Sequence, residues 1–330
     1  MRASNSTLAA LTVGLLTAIT GVQAQDYPNK PIRLILGNPA GGATDISARL
    51  LAEKMRGVMG QTVIVENRTG AGTLIATQAV SQAAPDGYTL LWGTGGISIG
   101  PSVNKAWTLD GTKDLTPISQ MVRGVNLIGV QPNAPYKTVD EWIAYMKANP
   151  GKLNYANIST TDLIGFEMIR NTMGVKYETV RYNGATPAQA AVLAGQADFY
   201  AVPLGNIAKG LLDSGRIRFL SVLASERSPI MPQIPSFADS DHPELRELGK
   251  FSGVGSYWFG LLGPAGLPKP LATTLNQVAV KVSADPDWMK KVGDLGLTVV
   301  GNTPEAFAAT IINERTRFAV EAKKAGVEPQ

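Results

Sequence analysis

The chain has 330 residues, 44% of them hydrophobic and 17% charged, with a formal charge of +4. That is enough apolar material for a sizeable core, consistent with two domains, and too little charge for extended disorder or a nucleic-acid surface. It has no cysteine and one histidine, His242. Disulfides, thiol nucleophiles and multi-histidine zinc sites are therefore excluded, and no metal or cofactor is expected.

The N-terminus carries one charged residue, Arg2, before the apolar run LAALTVGLLTAIT. This has the length of a signal-peptide core and is short for a bilayer span. Val22 and Ala24 supply the small residues of a cleavage site, so residues 1–24 are read as a signal peptide cut after Ala24. The mature protein is expected in the periplasm, soluble, with a monomer as the default.

Strand and helix signals then alternate. PIRLIL is a short buried strand, and Ile46, Leu50, Leu51 and Met55 fall at helical spacing up to Gly57 or Gly60. TVIVEN is a strand, 73–84 is helical, and Pro85-Asp86-Gly87 marks a turn before the strand YTLLWG. Thr138 to Glu141 fits a capping box for a helix ended by Asn149-Pro150-Gly151. LNYAN, the helix 162–173, YETVRY, the helix 187–193, ADFYAV, a helix near 207–212 and IRFLSVL repeat the pattern. Thr303-Pro304 opens a last helix reaching about Lys324. Strands separated by such helices predict parallel α/β sheets. Residues 225–255, rich in proline and serine, read as irregular chain passing between domains, and MVRGVNLIGV (121–130) is a second crossing. Two crossings imply one domain inserted into the other: 25–125 with 248–330 as the first lobe, 126–247 as the second.

Ligands in open α/β sheets bind beyond the carboxyl ends of strands. Residues 37–44 and 93–98 are glycine-rich and sit at such ends. Helices opening there present free N–H groups and a positive dipole end, suited to a carboxylate. Glycines that only form turns explain the same letters. Gly96-Ile97-Ser98-Ile99-Gly100 matches the nucleophile-elbow pattern, but the only available base, His242, lies in a polar stretch, and Pro101 suits a turn. A secreted serine hydrolase using Ser98 and His242 is thus the weaker alternative. Gly70-Ala71-Gly72 lacks the third glycine of a dinucleotide loop. Asp162, Glu167 and Glu178 are scattered and set up no acid/base pair. Asp45 fits the first turn of a helix, with contact to a ligand amine as its alternative. Arg181 either meets a second carboxylate or forms a surface ion pair.

The blocks YPNKPIRLILGNPAGGATDISARLLAEKM, VENRTGAG, APDGYTLLWGT, YNGATPAQAAVLAGQADF, SERSPIMPQIPSF and YWFGLLGPAGLPKP resemble, in family order, the periplasmic solute-binding proteins of tripartite tricarboxylate transporters, the Bug family. The resemblance implies a type II periplasmic-binding-protein fold, in which two α/β lobes close on a ligand. It implies no catalysis, a small di- or tricarboxylate or aromatic carboxylate as ligand, and membrane permease subunits as partners. A sensor that signals to a membrane receptor is the variant of the same reading. Carried onto this chain, the ligand loops are Asn38, Ala40, Gly41, Gly42 and Asp45; Thr94, Gly95, Gly96 and Ser98; Asn157, Ser159, Thr160 and Thr161; Tyr182, Asn183 and Gly184; and Pro203. The chain departs from the family's usual letters at Gly37-Asn38, at ANISTTDLIGF and at Arg181-Tyr182-Asn183-Gly184, all in ligand-facing loops.

Overall fold

The computed structural model describes residues 27–182, 184–251, 254–324 and 326–329. The expected signal peptide and cleavage site lie outside the described residues, as does Asn183. The first half of the chain gives β1 (Ile32–Leu36), α1 (Ala43–Met59), β2 (Val63–Asn67), α2 (Leu74–Ser81), β3 (Thr89–Thr94), α3 (Gly96–Val103) and β4 (Leu115–Val130). Then come α4 (Val139–Ala148), β5 (Asn154–Asn157), α5 (Thr160–Met173), β6 (Glu178–Arg181), α6 (Ala185–Leu193), β7 (Phe199–Pro203), α7 (Asn206–Asp213) and β8 (Arg218–Val222). The chain ends with α8 (Pro243–Gly249), β9 (Ser256–Pro264), α9 (Lys269–Ser283), α10 (Pro286–Asp294), β10 (Leu297–Val299) and α11 (Pro304–Lys324).

Local signals set most of these bounds. Gly60 ends α1 in the left-handed conformation, at φ 71°. The Thr138 hydroxyl accepts from Glu141 N–H at the start of α4, and the Glu141 carboxylate accepts from Lys137 N–H, one residue before the cap. Thr303 accepts from Ala306 N–H at the head of α11.

The strands form two halves with the same order. The first runs β2-β1-β3-β9-β4, with β10 also on β4; the second runs β6-β5-β7-β4-β8. In each, three parallel strands meet an antiparallel strand that returns from the other half. The sheets are therefore mixed, where strand–helix alternation predicts purely parallel ones. β4 is the shared strand: Leu115–Val125 pairs with β9, and Asn126–Val130 with β7. The expected crossing at 121–130 is thus a continuous strand rather than a linker. Beside it runs the return crossing, where Asn126 N–H donates to Gly255 O (2.6 Å) and Leu223 N–H to Asn126 O (2.9 Å).

Residues 225–255 are more ordered than their composition suggests. Ser236 and Asp239 cap a short 3₁₀ turn reciprocally, and Pro243 starts α8 at its first position. Each half has its own core. Leu34, Trp92, Leu261 and Trp288 are buried in the first. Phe166, Tyr177 and Phe199 pack around Tyr155 in the second, with the Tyr155 and Phe166 rings stacked at 4.3 Å. α11 joins them: Phe307 packs with Trp258 in the first half, and Phe318 and Ala322 enter the core of the second. Among the described residues no helix is long and apolar enough to cross a membrane.

Candidate functional site

Three helices begin at the crevice between the halves, each directly after a strand. The β1–α1 loop folds tightly because a Cβ on Gly37 would stand 2.5 Å from the Thr73 Cβ, and because Gly41 adopts φ 89°. α1 and α3 start after Gly42 and Gly95, and neither glycine can supply a capping side chain. The first N–H groups of α1, at Ala43 and Thr44, are left to the crevice, whereas at α3 Gly96 N–H donates to Thr94 Oγ1 at 3.3 Å and Ser98 N–H to Gly95 O at 3.0 Å. α5 starts differently: Ser159 caps it, accepting from Asp162 N–H at 3.1 Å.

A cavity of about 410 Å³ lies where these starts converge. Ala43 and Thr44 of α1, Gly95 and Gly96 at α3, and Thr161 and Asp162 of α5 all line it. Asn38, Thr94 and Ser159 add short polar side chains. The floor is the double crossing, Asn126 beside Gly255 and Ser256, with Pro203 at its edge. Tyr257, Trp258, Phe259 and Phe318 form an aromatic wall. A wider space of about 850 Å³ continues outward past Thr73, Trp107 and Arg181, sharing Asn38, Thr94, Gly96, Ser159 and Thr161. On its rim Ala71 and Thr73 hold left-handed φ values of 46° and 81°, uncommon for residues with a Cβ.

The electrostatics come from dipoles and carboxyl groups. Among the described residues no lysine, arginine or histidine lines the inner cavity; Arg181 reaches only the outer space. Asp162 is part-buried at the cavity wall, and burial pushes its carboxyl up to about 6 against the opposing hydrogen bonds of Ser159 and Asn126. Those bonds are short, Ser159 Oγ donating at 2.6 Å and Asn126 Nδ2 at 2.9 Å. Glu314, on the opposite wall, is 3% exposed and accepts from Trp258 Nε1 at 2.7 Å. Helix-start dipoles contribute roughly 0.3–1 kcal/mol each toward an anion, and hydrogen bonds to a charged group about 1.5–3 each.

Of the residues singled out from sequence, Asn38, Thr94, Gly95, Gly96, Ser159, Thr161 and Pro203 meet at this cavity. Thr160 is the first residue of α5. The others lie elsewhere. Ala40, Gly41 and Gly42 are exposed and do not line the cavity, and Gly41 N–H is used by Asp45 Oδ2 at 3.0 Å. Asp45 is buried against α1, bonded by Arg49, Gly41 and Asn67. Chiefly through Arg49, and despite burial, its carboxyl is held down at about 2. Both of its carboxylate oxygens are engaged within the fold, Oδ1 by Arg49 and Asn67 and Oδ2 by Arg49 and Gly41.

Ser98 is buried inside α3 with its hydroxyl unpartnered, while His242 Nε2 lies 4.0 Å from Asp140 Oδ1. No hydrogen bond joins Ser98 to a base, and the elbow-like letters form helix, with Pro101 inside it. Asn157 is buried beneath the loop, donating to Ser159 O at 2.8 Å. Tyr182 packs on the second half's core, and neither it nor Gly184 lines the cavity. Sequence reasoning did not single out Asn126, the 255–259 wall or Glu314. Glu314 had a signal: it follows Phe307 and Ile311 and precedes Phe318 on the buried stripe of α11.

The chain is similar to known proteins over nearly all its length. Residues 47–325 match the family described as "Tripartite tricarboxylate transporter family receptor". Protein BugT of Bordetella pertussis is 30% identical, over 98% of this chain and 99% of that one. An R. palustris protein solved with adipate superposes with a TM-score of 0.77 at 27% identity, covering 92% of this chain and all of that one. MatC from Rhodopseudomonas palustris, solved with bound malate, gives 0.71 at 26% identity, with 89% and 99% covered.

Proposed function

The chain belongs to the tripartite tricarboxylate transporter receptor family, and from that premise and its cleft we propose that it captures a small organic acid outside the cytoplasm and presents it to the permease subunits of such a transporter. The family is one of periplasmic solute-binding proteins, and the fold is the type II periplasmic-binding-protein fold. The observation that carries the ligand class is the convergence of the α1, α3 and α5 starts on one cavity, two of them with glycine caps. A micromolar affinity needs about 8 kcal/mol. Three or four charge-assisted N–H and O–H bonds plus burial against Trp258 and Phe318 supply that without an arginine clamp.

The two adjacent crossings at Asn126 and Gly255 are the natural pivot for closing the halves on the ligand. Only interactions stronger in the closed form shift that equilibrium. Adipate and malate, held by relatives in their solved structures, support the choice of acid.

The test is a thermal-shift screen of mono-, di- and tricarboxylates, aromatic acids and amino acids at neutral pH. A ligand at one hundred times its Kd adds about 2.7 kcal/mol of stability, readily seen as a rise in Tm. A panel in which no acid raises Tm removes the reading. Co-purification with the permease from membranes, enhanced by the bound acid, tests delivery.

A further inference from the structure

The inner end of the cavity is built from acceptors. Asn126 is 6% exposed, lines the cavity and gives its Nδ2 to Asp162, while its Oδ1 has no partner. The amide cannot be turned round, because that would set a carbonyl oxygen against the Asp162 carboxylate. A buried, unpaired oxygen of this kind is costly unless a ligand brings the donor. Asp162 lies beside it and lines the same cavity. A second carboxylate of a plain diacid would enter this corner against the Asp162 carboxylate and the unpaired Asn126 oxygen. An ammonium group would meet Asp162 and Asn126 Oδ1 together.

We propose that the ligand is an amino-substituted carboxylic acid, its ammonium bonded to Asn126 Oδ1 and Asp162 and its carboxylate held at the Thr94–Gly96 start of α3. This rests on reading the cleft as an acid-binding site, and it names the class of acid.

The charge of Asp162 gives a sign by which to test this. Its carboxyl, pushed by burial up to about 6, titrates in an accessible range. The ionisable groups turned toward it are the Tyr155 phenol of β5 and the Tyr257 phenol of β9, both pushed up by burial and neutral throughout that range. Glu314 of α11 lines the same cavity and accepts from Trp258 Nε1. The other charged groups on the packed elements are engaged elsewhere or exposed: Glu167 with Arg170 on α5, Lys250 with Glu247 and Arg246 with Ser240 O on α8, Glu244 in solvent, and Arg315 with Asp110 and Arg317 with Glu321 on α11. An ammonium ligand needs Asp162 ionised, so affinity falls about tenfold from pH 7.5 to 5. A diacid whose second carboxylate accepts a proton from Asp162 behaves oppositely.

The experiment is titration calorimetry with matched pairs, malate against L-aspartate and adipate against L-2-aminoadipate, on wild type and Asp162→Asn at pH 5 and 7.5. Expected are at least tenfold tighter binding of the amino acid in one pair, loss of affinity toward pH 5, and collapse of both effects in Asp162→Asn. The wild-type pH series decides alone if the variant does not fold. An unsubstituted acid that binds as tightly or more tightly, with affinity rising toward pH 5, overturns the inference and leaves acid binding standing. An amino-acid preference that is flat with pH also overturns it. Binding by neither member of either pair, with no acid stabilising the protein in the thermal screen, overturns both.

Discussion

Asp162→Asn should make the empty protein more stable at neutral pH. Burial raises the wild-type carboxyl from 3.8 to about 6. The folded state therefore holds this proton more tightly than the unfolded chain does. Stability is highest below the unfolded pKa, falls as pH rises toward 6, and stays reduced above it. A shift of about 2 units corresponds to about 3 kcal/mol at pH 7.5 and roughly 0.5 kcal/mol at pH 4. Asparagine keeps the oxygen that accepts from Asn126, and its amide can donate to Ser159 Oγ, which retains a free lone pair. Urea denaturation of both proteins at pH 4, 5.5 and 7.5 measures the difference directly, and carboxylates common to both cancel. The variant should gain up to about 3 kcal/mol at pH 7.5, shrinking toward zero at pH 4. An offset that does not change with pH, or a variant less stable at pH 7.5 than at pH 4 relative to wild type, would refute the reasoning.

Asp45→Asn should act with the opposite sign. Its carboxyl is held at about 2, mainly by the half-exposed Arg49. The variant should lose about 1–2 kcal/mol at pH 7, a deficit that narrows as pH falls from about 4 to 2 in the same denaturation assay. Gly165→Ala tests the approach of α5 to the return crossing, because the new Cβ would stand 2.1 Å from Val254 O. Helix propensity alone favours alanine by about 1 kcal/mol, whereas the clash predicts a net loss of roughly 1–3 kcal/mol, read as a lower Tm. Trp258 is the one tryptophan lining the inner cavity among the described residues. Binding should change tryptophan fluorescence in wild type and leave it unchanged in Trp258→Phe, with calorimetry verifying that the variant still binds.

The regular elements were legible where local chemistry settles them. IRLIL, buried on both faces, could only be a central strand, and the caps at Thr138, Gly60 and Thr303 fixed helix ends. What was hidden depends on distant pairing. β4 draws partners from four strands in two halves, and nothing within MVRGVNLIGV announces that. The mixed sheets arise the same way, from β9 and β10 returning after a long detour. In the region 225–255 the signals were present, Ser236 with Asp239 and Pro243, but dense proline masked them. At the site, glycine and proline marked the loop starts, so Asn38, Thr94 and Gly95 could be named. Which N–H groups stay free could not be read, since Gly41 N–H goes to Asp45 only once the loop has folded. The 255–259 wall reads as ordinary buried strand because it is one; only its neighbour across the crossing, Asn126, makes it a cavity floor.

The central claim is that helix starts, without a formal cation, hold an acid between the halves. A crystal structure of the protein with whichever acid raises its Tm most tests this directly. The account predicts a carboxylate oxygen about 3 Å from the amide nitrogens at Gly95–Gly96 or the Thr94 hydroxyl, with the ligand against Trp258. An acid bound through Arg181 in the outer space, with the inner cavity filled only by water, would contradict it.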